Sequence, residues 1–204
     1  MSGRWYARVH APGEPTRVLW VESDLHPDGA LVDLQAGPEQ RAATAGWRSA
    51  AVVADGSVTA LELSADRGVR DLWFVEFRES ATRPPAVNLM AFAGHGRRAG
   101  ELLDRADLSN VAVRRADQLG ALRWYPATGE VDQIYVAPAA RRRGVGSGLV
   151  YAAAVLSIAR GWPRMWADGQ RTVLGEAFRN GSEFGDRAAD LTHVAPPMTP
   201  GATA

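Results

Sequence analysis

Apolar positions along this chain keep one rhythm up to about residue 65 and another beyond it. In 1–65 they come in short runs: Trp5-Tyr-Ala-Arg-Val-His, Arg17-Val-Leu-Trp-Val and Ala30-Leu-Val-Asp-Leu. Pro12-Gly, Pro27-Asp-Gly and Ala36-Gly-Pro separate these runs, the pattern of strands between turns. Ser57–Leu63 alternates after Asp55-Gly, a hairpin signal, and Val69–Phe77 is rich in β-branched and aromatic residues. Beyond Arg83-Pro-Pro the spacing predicts a helix over Gly96–Ala106, with Leu102, Leu103 and Ala106 as its apolar stripe. Strands follow over Asn110–Arg115, Leu119–Tyr125 and Glu130–Val136, the last ended by Pro138. Ser147–Ala159 is apolar almost all round, which predicts a buried helix. Pro163-Arg-Met-Trp-Ala reads as a last strand and Thr172–Phe178 as a shorter helix. The tail from Pro196 is polar and proline-rich and reads as disordered.

At 204 residues and 46% apolar content, the chain can bury one domain core with a modest extension. No run approaches about 18 apolar residues, the N-terminus has no apolar signal segment, and there is no cysteine. A soluble cytoplasmic protein without disulfides or thiolate zinc sites is the expectation. All 23 basic residues are arginine. The absence of lysine excludes a Walker-A loop and Schiff-base chemistry. Net charge is zero, so no whole-surface nucleic-acid footprint is present. The histidines at 10, 26, 95 and 193 lack metal-ligand spacing, and no metal is expected. Of these, only His95, between two glycines, merits a test.

The chemistry concentrates in Glu130-Val-Asp-Gln-Ile-Tyr-Val-Ala-Pro-Ala-Ala-Arg-Arg-Arg-Gly-Val-Gly-Ser-Gly-Leu. A strand runs through a short loop into a helix with a glycine-rich first turn. Unpartnered N–H groups and the macrodipole make such a turn electropositive, and glycines at 144, 146 and 148 admit a diphosphate to the backbone. Arg141, Arg142 and Arg143 add guanidinium forks suited to phosphate oxygens. Val131 lies on the opposite parity from Ile134 and Val136. One extra residue near Asp132–Gln133, a β-bulge, would return all three to one face and open the backbone to a ligand. Three arginines alone would read as a solvated patch; the glycines change that. A dinucleotide turn needs glycine at 149, which is Leu, and a nucleophile elbow around Ser147 needs glycine at 145, which is Val.

Arg141-x-x-Gly144-x-Gly146, preceded by Val136-x-Pro138, resembles the signature of the GNAT family of N-acetyltransferases. The likeness covers about residues 109–168, with Gly120–Tyr125 and Glu130–Val136 resembling that family's third and fourth strands. It implies acetyl-CoA as acyl donor, with the pyrophosphate on Arg141, Arg142, Arg143, Gly144, Val145, Gly146 and Ser147. Pantetheine would lie along Ile134, Tyr135 and Val136, and a backbone N–H near Tyr135 or Val136 would polarise the thioester carbonyl. The implied reaction is transfer of acetyl to a primary amine, which must first be neutral. Asp132 and Glu130 are the candidate bases, with Asp132 first because it is nearer the bulge. The family's usual tyrosine after the fifth strand is missing, since no tyrosine follows Tyr151; water, Ser182 or Asp168 would have to substitute. That departure keeps open a non-catalytic acyl-CoA-binding module, a sensor or scaffold.

The expected fold is α/β (α+β): a mixed, mostly antiparallel twisted sheet flanked by helices. Residues 1–65 form a β-rich extension, 66–195 the acetyltransferase core and 196–204 a tail. The expected acceptor is a small-molecule or peptide amine; neither membrane nor nucleic acid is indicated, and a homodimer stays open. Trp5, Trp20, Trp47 and Trp73 read as core, with Trp73 or Trp124 as candidate walls of an acceptor pocket.

Overall fold

The N-terminal strands are β1 (Arg4–His10), β2 (Thr16–Glu22), β3 (Leu31–Gln35), β4 (Trp47–Ala54) and β5 (Ser57–Leu63) in a computed structural model that describes residues 3–65, 71–182 and 184–195. They form one sheet in the order β3-β1-β2-β4-β5, with only the β1–β3 pair parallel. A short helix, α1 (Pro38–Ala43), lies between β3 and β4 in sequence. Asp55 and Gly56, both at positive φ (50° and 74°), make the two-residue turn between β4 and β5 that the sequence announces.

The second sheet takes β6 (Leu72–Glu79), β7 (Ala86–Ala93), β8 (Leu102–Leu103), β9 (Gly120–Tyr125), β10 (Glu130–Val136) and β11 (Trp166–Ala167). Its order is β11-β10-β9-β7-β6-β8, antiparallel except at the two edges. The remaining helices are α2 (Arg105–Leu108), α3 (Val145–Ala159) and α4 (Val173–Asn180). Two short strands, β12 (Gln170–Arg171) and β13 (His193–Val194), pair in parallel near the C-terminus. The result is the expected mixed, antiparallel-rich α+β fold.

Helix α3 lies between the two sheets, against β2, β4 and β5 on one side and β7, β9 and β10 on the other. This is why it is apolar all round: a helix with a sheet on each flank has no solvent face to leave polar. One apolar cluster therefore joins Tyr6, Trp20, Ala51 and Leu61 to Leu89, Leu122, Trp124, Leu149 and Leu156. Ser49 on β4 donates to the Tyr151 carbonyl at 3.1 Å. At the helix end, both guanidinium nitrogens of Arg160 hold the Glu76 carboxylate of β6, and Arg78 joins them at 2.8 Å.

Three expected elements differ. The stretch expected as a helix over Gly96–Ala106 instead turns at Gly94–Gly100, contributes β8, and becomes helical only over Arg105–Leu108. Its backbone is claimed from both sides: Leu61 donates to the Gly100 carbonyl at 2.7 Å and Phe74 to the Glu101 carbonyl at 2.8 Å. A backbone joined to two strands cannot also close i→i−4 bonds. The strand expected over Asn110–Arg115 is irregular chain, in which Val111 and Val113 pack on the Trp73, Val75 and Phe92 cluster without a ladder partner. The strand after Pro163 shortens to Trp166–Ala167. Residues 69 and 70 of the expected strand over Val69–Phe77, and the tail 196–204, lie outside the described residues. No described helix is long and apolar enough to cross a membrane.

Candidate active site

The β9–β10 hairpin positions the site. Its turn sets Glu130 opposite Tyr125 and Val131 opposite Trp124; Asp132 is then skipped, and Gln133 pairs with Arg123. That skipped residue is the bulge, and it restores parity: Val131, Ile134 and Val136 all pack on the α3 side. Glu130, Gln133 and Tyr135 share the opposite face with Arg123 and Tyr125.

On its other edge β10 pairs with β11 only at Glu130 and Val131, in parallel. Beyond Val131 the two strands part, because the chain after Ala167 turns away to form β12 against β13. The outer backbone edge of β10 from Asp132 to Val136 therefore faces a cleft instead of a strand.

At the upper end of this edge the chain turns through Pro138–Ala140 into Arg141, whose Nε donates to the Val136 carbonyl at 3.1 Å. Arg142 and Gly144 both take left-handed backbone (φ 59° and 78°), which swings the chain into α3. Gly144 caps the helix without a side-chain bond, and the first internal helix bond to it comes from Gly148 at 2.9 Å. The N–H groups of Val145, Gly146 and Ser147 therefore have no partner inside the helix. A Cβ on Gly146 would sit 3.2 Å from Phe178 Cε2 and 3.5 Å from Val136 Cγ2, a tight fit that glycine avoids. A cavity of about 350 Å³ fills the angle between Gln133–Val136, the Arg141–Ser147 turn and the α4 face carrying Leu174 and Phe178.

Below it, where β10 and β11 separate, lies a second cavity of about 530 Å³. Glu130 and Asp132 stand on its wall, as do Gln133, Ile134, Thr172, Gly175 and Phe178, which also line the upper one. Asp132 is committed: one oxygen accepts from the Tyr125 hydroxyl at 2.9 Å and the other faces Arg123 Nε at 3.3 Å. Arg123 also reaches Glu79 at 3.0 Å. The bond donated to Asp132, aided by burial, raises the Tyr125 phenol above its usual range. The half-buried Glu130 carboxylate has no hydrogen-bond or ion-pair partner among the described residues.

The structure thus gathers Glu130, Asp132, Ile134, Tyr135, Val136, Arg141, Arg142, Gly144, Val145, Gly146 and Ser147 along one cleft; Arg143 is exposed and lies off the cavity wall. His95 sits 3.8 Å from Asp117 and lines neither cavity. Trp73 stacks on Phe92 at 4.7 Å and Trp124 is buried in the core, so neither wall position expected of them is found. The sequence gives no hint of Trp20, which arrives from the N-terminal sheet to wall the lower cavity. Tyr125 was within reach of sequence reasoning, since the turn Pro126-Ala-Thr-Gly already sets it opposite Glu130.

Comparison with known proteins gives one positive result. Residues 68–174, 107 of the 204, match the acetyltransferase (GNAT) family. No curated protein and no solved structure matches the chain. The matched segment runs from β6 through the bulged strand and the glycine turn to the start of α4. The chain belongs to the GNAT acetyltransferase family.

Proposed function

We propose that the protein is an N-acetyltransferase that moves an acetyl group from acetyl-CoA to a primary amine. The observation that carries this is the continuous unpaired edge of β10, which leads from two carboxylates at a bulge to bare N–H groups at the start of α3. The donor's pyrophosphate would sit on Gly144–Ser147, where N–H groups and the helix dipole favour anions, with Arg141 and Arg142 neutralising its charge. Its amide-bearing arm would complete the β10 edge along Ile134–Val136, leaving the thioester at the bulge.

An ammonium has no lone pair, so the amine must lose a proton before it attacks. Glu130 suits that task better than Asp132, because its carboxylate is unpartnered while both Asp132 oxygens are engaged. The nitrogen lone pair then forms the C–N bond, with the carbonyl oxygen held by a backbone N–H of Tyr135 or Val136. The C–S bond breaks with its electron pair on sulfur, and the thiolate collects a proton. Tyr125, whose hydroxyl already donates to Asp132, stands beside these carboxylates and suits the role of proton carrier.

Calorimetric titration of acetyl-CoA, CoA and NADH, followed by thiol release with a panel of amines, tests this. Micromolar acetyl-CoA binding, none for NADH, and amine-dependent thiol release are expected; no binding of acetyl-CoA overturns it. The missing tyrosine beyond Tyr151, with Phe178 lining the cleft, favours one second reading: a module that binds acyl-CoA without turnover. Tight binding with no thiol release for any amine would select it.

A further inference from the structure

The lower cavity is larger than an acetyl group requires. About 530 Å³ lies below the bulge, walled by Val131, Val150, Ala154, Met165, Trp20 and Phe184. Closely packed aromatic side chains form part of this wall. Here Trp20 meets Phe184 and Tyr151 at ring distances of 4.9 and 5.0 Å.

Glu130 aside, the charged residues on the wall are engaged by protein. Arg171 holds Glu176 at 2.8 Å and the Ala189 carbonyl at 2.6 Å, and Arg179 holds Asp190 at 3.1 Å. Arg187 reaches Asp28 at 3.2 Å, and Asp168 accepts from the Gln170 N–H at 2.9 Å. What the cavity offers a ligand is mostly carbon surface.

Its place along the cleft decides the occupant. From Val136 to Val131 the strand covers about 17 Å, and the two cavities meet at Gln133, Ile134 and Phe178. A thioester at the bulge has Glu130 and Tyr125 on one side, the polar face from which an amine can arrive. The lower cavity shares Glu130 with that face and extends from there toward α3, where Val131 and Val150 pack against the core. Nucleophile and acyl tail attach to the same carbonyl carbon and must leave it in different directions.

We propose that the lower cavity is an acyl-chain pocket, so that the donor site takes, beside acetyl-CoA, CoA thioesters with a chain of about four to eight carbons; this rests on the donor position given under Proposed function. The step balances as before. The amine nitrogen bonds to the carbonyl carbon, the C–S bond breaks with its pair on sulfur, and the amine proton passes through the carboxylate to the thiolate. The chain itself does not react. The N-terminal sheet thereby gains a direct role, since Trp20 closes the pocket.

The test is a titration of the intact protein with CoA, acetyl-CoA, butyryl-CoA and hexanoyl-CoA, without acceptor. Each buried methylene can tighten binding by up to about fourfold. Hexanoyl-CoA is therefore expected to bind at least about tenfold more tightly than acetyl-CoA, with butyryl-CoA between them. Equal affinity for acetyl- and hexanoyl-CoA, with CoA itself binding, overturns the acyl pocket and leaves the donor site standing. Failure of CoA to bind removes both. Val150→Phe, which fills the cavity from α3, should bring the hexanoyl-to-acetyl ratio close to one. If that variant does not fold, Val150→Leu makes the same comparison with a smaller intrusion. A chain-length gain that survives a folded Val150 variant overturns the location.

Discussion

Replacing Gly146 by glutamate should move stability and donor binding in opposite directions. Gly146 is the second residue of α3, where a carboxylate faces bare N–H groups and the positive end of the helix dipole. For the free protein this is favourable by about 0.3–1 kcal/mol. The steric cost is set by Phe178, 3.2 Å from the position of an added Cβ. That ring sits on the partly exposed α4 and needs to yield only a few tenths of an ångström. For a bound diphosphate the same carboxylate is a like charge at contact range. Two unit charges 4 Å apart repel by about 1 kcal/mol in water and about 4 kcal/mol at the effective dielectric of a protein surface. Against two phosphate charges the lower figure is already about 2 kcal/mol, an affinity loss of about thirtyfold. Gly146→Gln has nearly the same volume and no charge, so it isolates the steric part. Thermal melts and acetyl-CoA titrations on the three proteins should place the Glu variant about 1–4 °C above the Gln variant, with affinities ordered wild type, Gln, Glu. Equal affinities for the Gln and Glu variants would falsify the diphosphate site, because nothing anionic would then lie at the helix start.

Further outcomes follow from particular contacts. Glu130→Gln should lower turnover by about 10²-fold or more, within the range of general-base catalysis, with donor affinity unchanged. Asp132→Asn should cost less, since it loosens Tyr125 and Arg123 without removing the free carboxylate; a larger loss for Asp132→Asn in steady-state assays would return the base to Asp132. Arg160→Met should destabilise the fold by about 3 kcal/mol, because it strips the buried Glu76 of its bidentate partner and leaves only Arg78. At this chain length that is a fall of about 6–12 °C in melting temperature. Burial works against the Glu76 carboxylate, yet the Arg160 and Arg78 guanidinia hold its pKa below the ordinary 4.5. A depressed folded value stabilises above the unfolded pKa, so this contribution is present above about pH 4.5 and is lost as pH falls further. Glu76→Gln should flatten that acid limb in urea titrations, and an unchanged limb would assign it to other carboxylates.

The chemistry-bearing strand was legible because its signals are local. The parity conflict among Val131, Ile134 and Val136 has one economical solution, an inserted residue, and Asp132 is that residue. The arginine–glycine turn needs only its own backbone to leave N–H groups bare at the helix start, and Gly144 at φ 78° has the conformation its identity permits. The apolar belt of Ser147–Ala159 announces burial on all sides, although not what buries it.

Non-local contacts decided the rest. Leu102, Leu103 and Ala106 are spaced for a helix, which would need the Gly100 and Glu101 carbonyls for its own ladder. Leu61 and Phe74, distant in sequence, take those carbonyls instead. Trp20 looks like any core tryptophan until α3 is seen between two sheets, which brings a residue of β2 to the cleft at β10. The sequence alone determined the hairpin, its bulge, the arginine–glycine turn and a helix with no solvent face, because periodicity and backbone preference act over a few residues. Only the tertiary structure decided the second sheet across that helix, the parting of β10 from β11 and the volume of the lower cavity. These depend on which backbone edges find partners once the whole chain has packed.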